Sequence, residues 1–169
     1  MDNPQERLYG WLAGILDGEG TITVACYNLP DSRIRLTPVV GIANTDLTIL
    51  NKAKEIIQSL NLPSGHVIKL MYRDKGVNRP VHQLRIDGYP AVKALLTFIA
   101  PYMVGKRKNA ETVVEFIKAR ESNRFSRDAA GHIKRSRYGK KEIALLEKVR
   151  KLNHRESPEA IRKATNIVR

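Results

Sequence analysis

Residues 12–20, LAGILDGEG, join a predicted helix directly to a predicted strand and so fix the order of the first two elements. The helix starts with Asn3 as a cap, proline at its first position and glutamate at its third, and its apolar residues follow helical spacing. It is expected to end at Gly18 or Gly20. Residues 21–27 then alternate in polarity, as the residues of a half-buried strand do.

One side of this helix carries small residues up to the acidic turn. Gly10, Ala13, Gly14 and Asp17 are spaced at i, i+3, i+4 and i+7, which places them on one stripe. Small residues allow two helix backbones to approach closely. The stripe is therefore predicted to contact a partner helix, with Asp17 at the end of the contact.

The acidic turn itself favours a cation. Two carboxylates near the negative end of a helix dipole are unfavourable unless a positive charge compensates them. Glycines on both sides of Glu19 leave its carboxylate and the Gly18 carbonyl accessible to a hard divalent cation, which prefers oxygen ligands. The alternative is an ordinary helix end with a glycine stop, and these four residues do not decide between the two.

The pattern up to residue 121 continues as hairpin, helix, hairpin and helices. The expected segments are strands at 21–27 and 34–42, a helix capped by Asp46, strands at 65–73 and 80–87, and helices at 89–100 and 104–121. Two hairpins that alternate with helices favour an α+β fold, in which helices cover one face of an antiparallel sheet.

The uncovered face of this sheet is predicted to carry basic, polar and aromatic side chains with almost no acids. They are Thr23, Tyr27, Arg33, Arg35, Thr37, Lys69, Arg73, Gln83 and Arg85. Such donors and aromatic groups suit contact with base edges and phosphates in a nucleic-acid groove. A solvated sheet face is the alternative interpretation.

The overall charge also indicates a polyanionic partner. The 169 residues include 30 Lys and Arg against 17 Asp and Glu, which gives a net charge of +13. Nucleic acid is the first candidate and an anionic membrane surface the second. No apolar run reaches the roughly 20 residues of a membrane span, and the first residues lack a secretory or transit signal. The expected location is intracellular, in a prokaryotic cytoplasm or in an organelle that encodes the protein.

Much of this charge lies in the last third of the chain. Residues 120–169 hold 15 Lys and Arg against 6 Asp and Glu. An arm from about residue 122 is predicted to lie against nucleic-acid phosphates on either side of the segment that the sheet contacts. The arm would do so through Arg124, Arg127, Lys134, Arg135 and Arg137. A helix at 140–155 and a short helix from Ser157 follow. The alternative is that the 140–155 helix packs on the core through Ile143, Leu146 and Val149.

The cysteine and the histidines indicate neither a disulfide nor a metal site. Cys26 is the one cysteine, and its alternation with Ile22 and Val24 predicts a small core residue. The four histidines lack metal-ligand spacing and a companion cysteine. They are His66, His82, His132 and His154.

LAGILDGEG resembles the signature of the LAGLIDADG homing endonucleases. Ile99-Ala100-Pro101-Tyr102, followed by Lys106-Arg107-Lys108-Asn109-Ala110 and Glu115-Phe116, is similar to the later helix region of that family. The order of helices and hairpins also fits, so the resemblance covers roughly residues 5–120. It implies the αββαββα fold with an antiparallel saddle-shaped sheet on DNA. A core domain at 1–121 would be followed by a basic helical C-terminal extension at 122–169.

The resemblance also implies Mg²⁺-dependent cleavage of both strands of double-stranded DNA within a long site, with Mn²⁺ or Ca²⁺ able to replace Mg²⁺ in binding. Glu19 would bind the metal and Gly18 would offer its carbonyl, whereas Asp17 would cap or pack. Asn44 would position the attacking water, and Lys106 would lie near the scissile phosphate.

One departure from the family concerns the positive charge near that phosphate. Thr48 stands where some relatives have a second basic residue, so Arg107 and Lys108 are further candidates for phosphate contact.

One chain supplies one such carboxylate, and no other small-residue helix in the sequence ends in an acidic glycine turn. Metal ions shared between facing carboxylates therefore require two chains, with Gly10, Ala13 and Gly14 at the two-fold axis. Such a homodimer would recognise a pseudo-palindromic site. Two other functions remain open from the sequence: a DNA-binding regulator without cleavage, and an RNA-splicing maturase.

Overall fold

The structure is a computed structural model that describes residues 4–30, 33–63, 69–73, 81–123, 125–127, 133–135 and 137–153, with backbone alone at 69–73, 125–127 and 133–135. Its helices are Pro4–Glu19 (α1), Leu47–Ser59 (α2), Tyr89–Ile99 (α3), Arg107–Asn123 (α4) and Lys140–Leu152 (α5). Its strands are Gly20–Asn28 (β1), Ile34–Asn44 (β2), Lys69–Arg73 (β3), Val81–Asp87 (β4), Phe125–Arg127 (β5) and Ile133–Arg135 (β6). The predicted helix from Ser157 lies outside the described residues.

Four strands form the antiparallel sheet that the sequence predicts, in the order β1-β2-β4-β3. The first hairpin pairs Gly20 with Ile42. β4 then pairs with both β2 and β3, so that Arg85 lies between Gly41 and Lys69. The predicted α+β fold, with its two hairpins, is confirmed.

The junction between α1 and β1 needs glycine at position 20. α1 ends at Glu19, and the strand begins at the next residue. A Cβ atom on Gly20 would lie 2.4 Å from the Leu16 carbonyl oxygen, which is backbone and cannot move aside. The strand can therefore leave the helix so abruptly because this residue has no side chain.

The core continues into the C-terminal extension. Leu145, Leu146 and Val149 of α5 join the same buried cluster as Leu12 of α1 and Ile22 of β1. The alternative in which the 140–155 helix packs on the core is therefore confirmed for α5. The boundary at 121/122 marks a change in charge and in family resemblance, but it does not divide the core.

A buried polar network holds the start of α5. Glu142 is 1% exposed, and its Oε1 atom accepts a hydrogen bond from Arg120 Nη1 at 3.3 Å. Its Oε2 atom accepts from Asn123 Nδ2 at 2.7 Å and from the Gly139 N–H at 2.6 Å. The Arg120 guanidinium also lies 4.4 Å from the centroid of the Tyr138 ring. The buried carboxylate is thus both paired and hydrogen-bonded, as a buried charge must be.

The end of α5 is fixed to the edge of the sheet. Asn153 Nδ2 donates to the Ile22 carbonyl at 2.9 Å, and Asn109 Nδ2 donates to Asn153 Oδ1 at 3.0 Å. β1 is an edge strand, so the Ile22 carbonyl has no neighbouring strand on its outer side. Asn153 satisfies this carbonyl and joins α4, α5 and β1 at one point.

Two expectations about local structure are wrong. β5 and β6 pair as an antiparallel ribbon where the sequence predicts an irregular arm. Cys26 is exposed, because the core under β1 ends at Val24, before the strand reaches its turn. Separately, no helix in the described part of the chain is both long and apolar enough to cross a lipid bilayer.

Candidate active site and nucleic-acid interface

Asp17, in the last turn of α1, binds the segment that precedes α4. Its carboxylate accepts the backbone N–H groups of Val104 and Lys106, both at 2.7 Å. Burial acts to raise the pKa of Asp17, but the N–H donors of residues 104–106 and the Lys106 ammonium outweigh it, so the pKa lies below its usual value. Asp17 is ionised and caps the backbone N–H groups before α4, which is the role expected for it from the family resemblance. Both of its carboxylate oxygens already accept hydrogen bonds.

The Lys106 side chain, in turn, binds backbone carbonyls at the end of α1. Its Nζ atom donates to the carbonyls of Leu16 at 3.0 Å and Asp17 at 2.6 Å, and lies 3.5 Å from that of Gly18. These carbonyls belong to the last turn of α1, where helical partners are missing and the dipole is negative. Asp17 and Lys106 together thus bind the end of α1 to the start of α4, and we call this pair of contacts the Asp17–Lys106 clamp.

Glu19 and Gly18 remain accessible beside the clamp. Glu19 is exposed, and its carboxylate accepts no hydrogen bond from any residue that the structure describes. A Cβ atom on Gly18 would meet nothing within 4 Å. A carboxylate and a backbone carbonyl are oxygen donors, and they fit a hard divalent cation. Within the described ranges no three His, Cys, Asp or Glu residues could hold a metal together.

Asn44 lies at the end of the sheet next to Glu19, because Ile42 of the same strand is in register with Gly20. Its Oδ1 atom accepts the Asp46 N–H at 2.8 Å, and Asp46 Oδ1 accepts the Thr48 N–H at 2.8 Å to cap α2. The structure thus places Asn44 near the site in a turn-forming role. Its predicted contact with a water stays a prediction.

The predicted helix contact is corrected at one position. Gly10 and Gly14 are exposed, and a Cβ atom at either would meet nothing within 4 Å. Ala13 is fully buried in its own chain, because the i+3 position turns toward the core. The open face of α1 therefore consists of Gly10, Gly14 and the partly exposed Trp11, and it excludes Ala13.

An apolar surface continues from α1 toward α4. The Tyr9 ring of α1 lies 6.2 Å from the ring of Phe98 and 5.9 Å from that of Tyr102. Phe98 and Tyr102 are both exposed, and Val104, which donates to Asp17, is 89% exposed. This surface is not apparent from the sequence, because residues 98–104 follow the apolar pattern of a buried helix and its turn.

Three predicted DNA-binding side chains meet on the outer face of the sheet. The Arg35 and Arg85 guanidiniums lie 5.4 Å and 6.0 Å from the Tyr27 ring centroid. Arg85 Nη2 also donates to the Tyr27 hydroxyl, and Arg85 Nε pairs with Asp87 Oδ2 at 3.2 Å. Asp87 is not among the residues predicted for this face, although its position two residues after Arg85 places it there.

These contacts require a curved sheet. Arg85 is in register with Gly41, and Gly41 is in register with Thr21. Tyr27 lies six residues beyond Thr21 on β1. Six residues of extended strand span about 20 Å, which is more than the two side chains could bridge over a flat sheet. The sheet must curve toward this face, in agreement with the expected saddle.

The other predicted DNA-binding residues are spread along the same surface and the extension. Thr23, Thr37 and Gln83 are half-buried, whereas Arg33, Arg107, Lys108 and Arg137 are exposed. Arg107 pairs with Glu111 at 3.1 Å. Backbone alone is described for Lys69, Arg73, Arg127, Lys134 and Arg135, and Arg124 lies outside the described residues.

Solved structures of homing endonucleases are similar to this chain. I-CvuI in complex with its target matches 96% of this chain and 94% of its own, with a TM-score of 0.68 and 16% identity. I-TnaI matches 100% of both chains, with a TM-score of 0.61 and 15% identity. The archaeal intron-encoded I-Vdi141I, complexed with DNA, matches 95% of this chain and 85% of its own, with a TM-score of 0.57 and 18% identity.

The sequence itself matches no protein-family model and no curated protein. The structural similarity nevertheless extends past residue 120, where the sequence resemblance ends, and so includes the C-terminal extension. Helix order, sheet order and the position of the acidic turn agree with the resemblance seen in the sequence. The chain has the fold of the LAGLIDADG homing endonucleases, with one acidic motif at the end of α1.

Proposed function

We propose that the protein is a homing endonuclease that makes a staggered double-strand break in a long, pseudo-palindromic DNA site, in intron- or intein-type mobility. The observation that carries this proposal is the end of α1, where the Glu19 carboxylate is exposed and the Gly18 carbonyl lies 3.5 Å from the Lys106 ammonium. Oxygen donors for a cation and a fixed positive charge are what phosphodiester hydrolysis requires. Structural neighbours in complex with DNA support a DNA substrate.

Glu19 and Gly18 would hold Mg²⁺, or Mn²⁺ or Ca²⁺ in its place. One neighbour, I-CvuI, was solved with DNA in the presence of Mg and of Ca. The bound ion would neutralise charge on the phosphate and increase the acidity of a water. Glu19 would hold the ion, and Lys106 would supply a positive charge near the phosphate, where negative charge develops.

The proposed enzyme is a homodimer. One chain offers one exposed carboxylate at the end of α1, which is half of a site shared between two chains. The open face at Gly10 and Gly14 allows two α1 helices to approach closely, so that two Glu19 carboxylates would meet near the two-fold axis. Each outer sheet face would then contact one half of the DNA site.

The test compares Glu19→Gln with Glu6→Gln, a matched change at the exposed start of the same helix. Each purified protein is incubated with intronless host DNA and Mg²⁺, with a chelator as a second control. Glu19→Gln should bind DNA and fail to cut it, because the amide is a weaker metal ligand of nearly the same shape. Glu6→Gln should cut like the wild type.

Two results would contradict the proposal. Cleavage by Glu19→Gln, or cleavage by the wild type in the presence of chelator, would exclude the proposed site. DNA binding by the wild type without cleavage in any divalent cation would favour a regulator of the same fold.

A further inference from the structure

The outer face of α5 carries a row of lysines that the proposed catalytic site does not use. Lys140, Lys141, Lys148 and Lys151 are all exposed and lie on one side of the helix, with Ala144 between them. We call them the lysine stripe of α5. Of the two acids in this helix, Glu142 is buried in the polar network and Glu147 is half-buried at the border of the stripe.

The stripe contributes little to the stability of the helix. Lys140 and Lys141 lie in the first turn, where the helix dipole disfavours positive charge. Glu147 precedes Lys151 by four residues, which is the one spacing in this helix that favours an ion pair with a lysine of the stripe. None of the four lysines forms an ion pair with a residue in the described part of the chain. Four like charges are thus held close together without compensation.

The helix that carries the stripe is fixed at both ends. Glu142 binds Arg120 and Asn123 at the start of α5, and Asn153 binds the Ile22 carbonyl at its end. Its opposite face supplies core residues. α5 therefore lies against the β1 edge of the sheet, with its lysines turned away from the core. β1 is also the strand that carries Tyr27 on the outer face.

We propose that the lysine stripe binds phosphates of duplex DNA beside the segment that the sheet contacts. The inference rests on the proposed function, since it assumes DNA on the sheet. The stripe covers 12 residues, from 140 to 151, so its two ends are about 16 Å apart along the helix. One DNA strand presents a phosphate every 3.4 Å or so along its axis, so several phosphates lie within this length.

An anionic membrane surface fits the stripe less well than DNA does. A helix that lies on a membrane buries its apolar face among the lipids. The apolar face of α5 is already occupied by the core, and Ala144 is the one apolar residue exposed between the lysines. The charge of the stripe is therefore available to a phosphate backbone, but no apolar surface accompanies it.

The test is the salt dependence of binding to a mixed-sequence DNA duplex longer than the sheet. The variant is Lys141→Gln/Lys148→Gln, and the matched control is Lys52→Gln/Lys118→Gln, which removes the same charge from exposed positions on α2 and α4. Each lost phosphate contact lowers the slope of log affinity against log salt by about 0.9. Each bound chain of the variant should lose about one to two from the slope, so a bound dimer should lose about two to four, and the control should keep the wild-type slope.

A charge-retaining variant distinguishes lost contacts from lost folding. Lys141→Arg/Lys148→Arg should keep the wild-type slope, and all variants should keep the wild-type melting temperature. A wild-type slope in the Gln variant would overturn the proposal. The proposal would also be overturned if the Gln variant lost affinity for an RNA duplex of the same sequence but kept its affinity for the DNA duplex. Wild-type protein that binds no duplex would overturn both this inference and the proposed function. Binding through the stripe without cleavage would overturn the proposed function alone.

Discussion

At the scale of single residues, one carbonyl has two possible partners. The Gly18 carbonyl lies 3.5 Å from Lys106 Nζ, and it is also the carbonyl proposed to face the metal. A cation at this carbonyl would lie close to the ammonium, and the two positive charges would repel each other. In the absence of DNA, Lys106 is therefore expected to oppose metal binding. When DNA is bound, its phosphates would pair with the Lys106 ammonium and reduce this repulsion.

Lys106→Met should strengthen metal binding in DNA-free protein. Two unit charges about 4 Å apart interact by about 1 kcal/mol even in water, so Mn²⁺ should bind at least about fivefold more tightly. Calorimetric titration with Mn²⁺ measures this change. Lys108→Met, at an exposed position two residues further on, is the control and should leave the affinity unchanged. Equal Mn²⁺ affinities in Lys106→Met and wild type would exclude the competition.

Asp17→Asn should destabilise the protein in a pH-dependent way. The carboxylate accepts two backbone N–H groups, and replacing a charged acceptor by an amide costs about 1–2 kcal/mol. Because folding lowers the pKa of Asp17, its contribution to stability is complete above the ordinary pKa of 3.8 and is lost as the pH falls through the lower folded value. The melting temperatures of the two proteins should differ at pH 7, and the difference should shrink as the pH falls below 3.8. A difference that stays constant as the pH falls would contradict this assignment.

At the scale of elements, α5 combines two roles that the sequence analysis treats as alternatives. Its apolar residues complete the core, and its lysines remain outside. Truncating the chain before α5 would therefore remove core packing and charge together. Point substitutions on the two faces of the helix separate the roles.

Leu146→Ala should cost about 2–5 kcal/mol of the free energy of unfolding, because Leu146 is 1% exposed and its removal leaves a cavity. Lys148→Ala, on the exposed face of the same helix, should cost less than about 0.5 kcal/mol. Urea unfolding measures both values. A small cost for Leu146→Ala would mean that α5 does not unfold together with the core.

The elements that the sequence predicts correctly are those with a clear period. α1, α2, both hairpins of the sheet and α5 repeat apolar residues over enough positions to show their type. β5 and β6 have three residues each, too few for any period to appear. Ala13 was misplaced because spacing defines a stripe, whereas the packing of the whole chain decides how far the core extends around the helix.

Within the site, the acidic turn is visible in sequence because its residues are adjacent. The Asp17–Lys106 clamp is not, since its partners are 89 residues apart and a Lys-Arg-Lys run usually lies in solvent. The family resemblance placed Lys106 near the phosphate, but gave no indication that its ammonium binds the end of α1. Contacts of this kind follow from the tertiary fold, and no local pattern contains them.

At the scale of the whole molecule, the open face of α1 and the exposed Val104 leave a surface on the chain that a second copy could cover. Val104 is held beside α1 by its hydrogen bond to Asp17. An exposed apolar side chain at the end of a helix whose Gly10 and Gly14 are open suits an interface between proteins.

Gly14→Leu should weaken dimer formation at least about tenfold, or about 1.4 kcal/mol, because the side chain would hold two α1 helices apart. Within one chain the new side chain meets open space, so the fold should be unaffected. Sedimentation velocity measures the dissociation constant. Ala144→Leu, a similar change at an exposed position on α5, is the control. An unchanged dimer in Gly14→Leu would place the interface elsewhere.

The length of chain between the partners of the clamp also affects when the site is completed during synthesis. The Asp17 carboxylate leaves the ribosome 87 residues before its donor Val104 and 89 before Lys106. At about 5–20 residues per second, this delay is roughly 4–17 s. During that interval the nascent chain carries Glu19 without the ammonium that is proposed to act beside it. The proposed nuclease would therefore have no complete centre until most of the polypeptide had been translated, which would protect the DNA of the cell from unfinished copies.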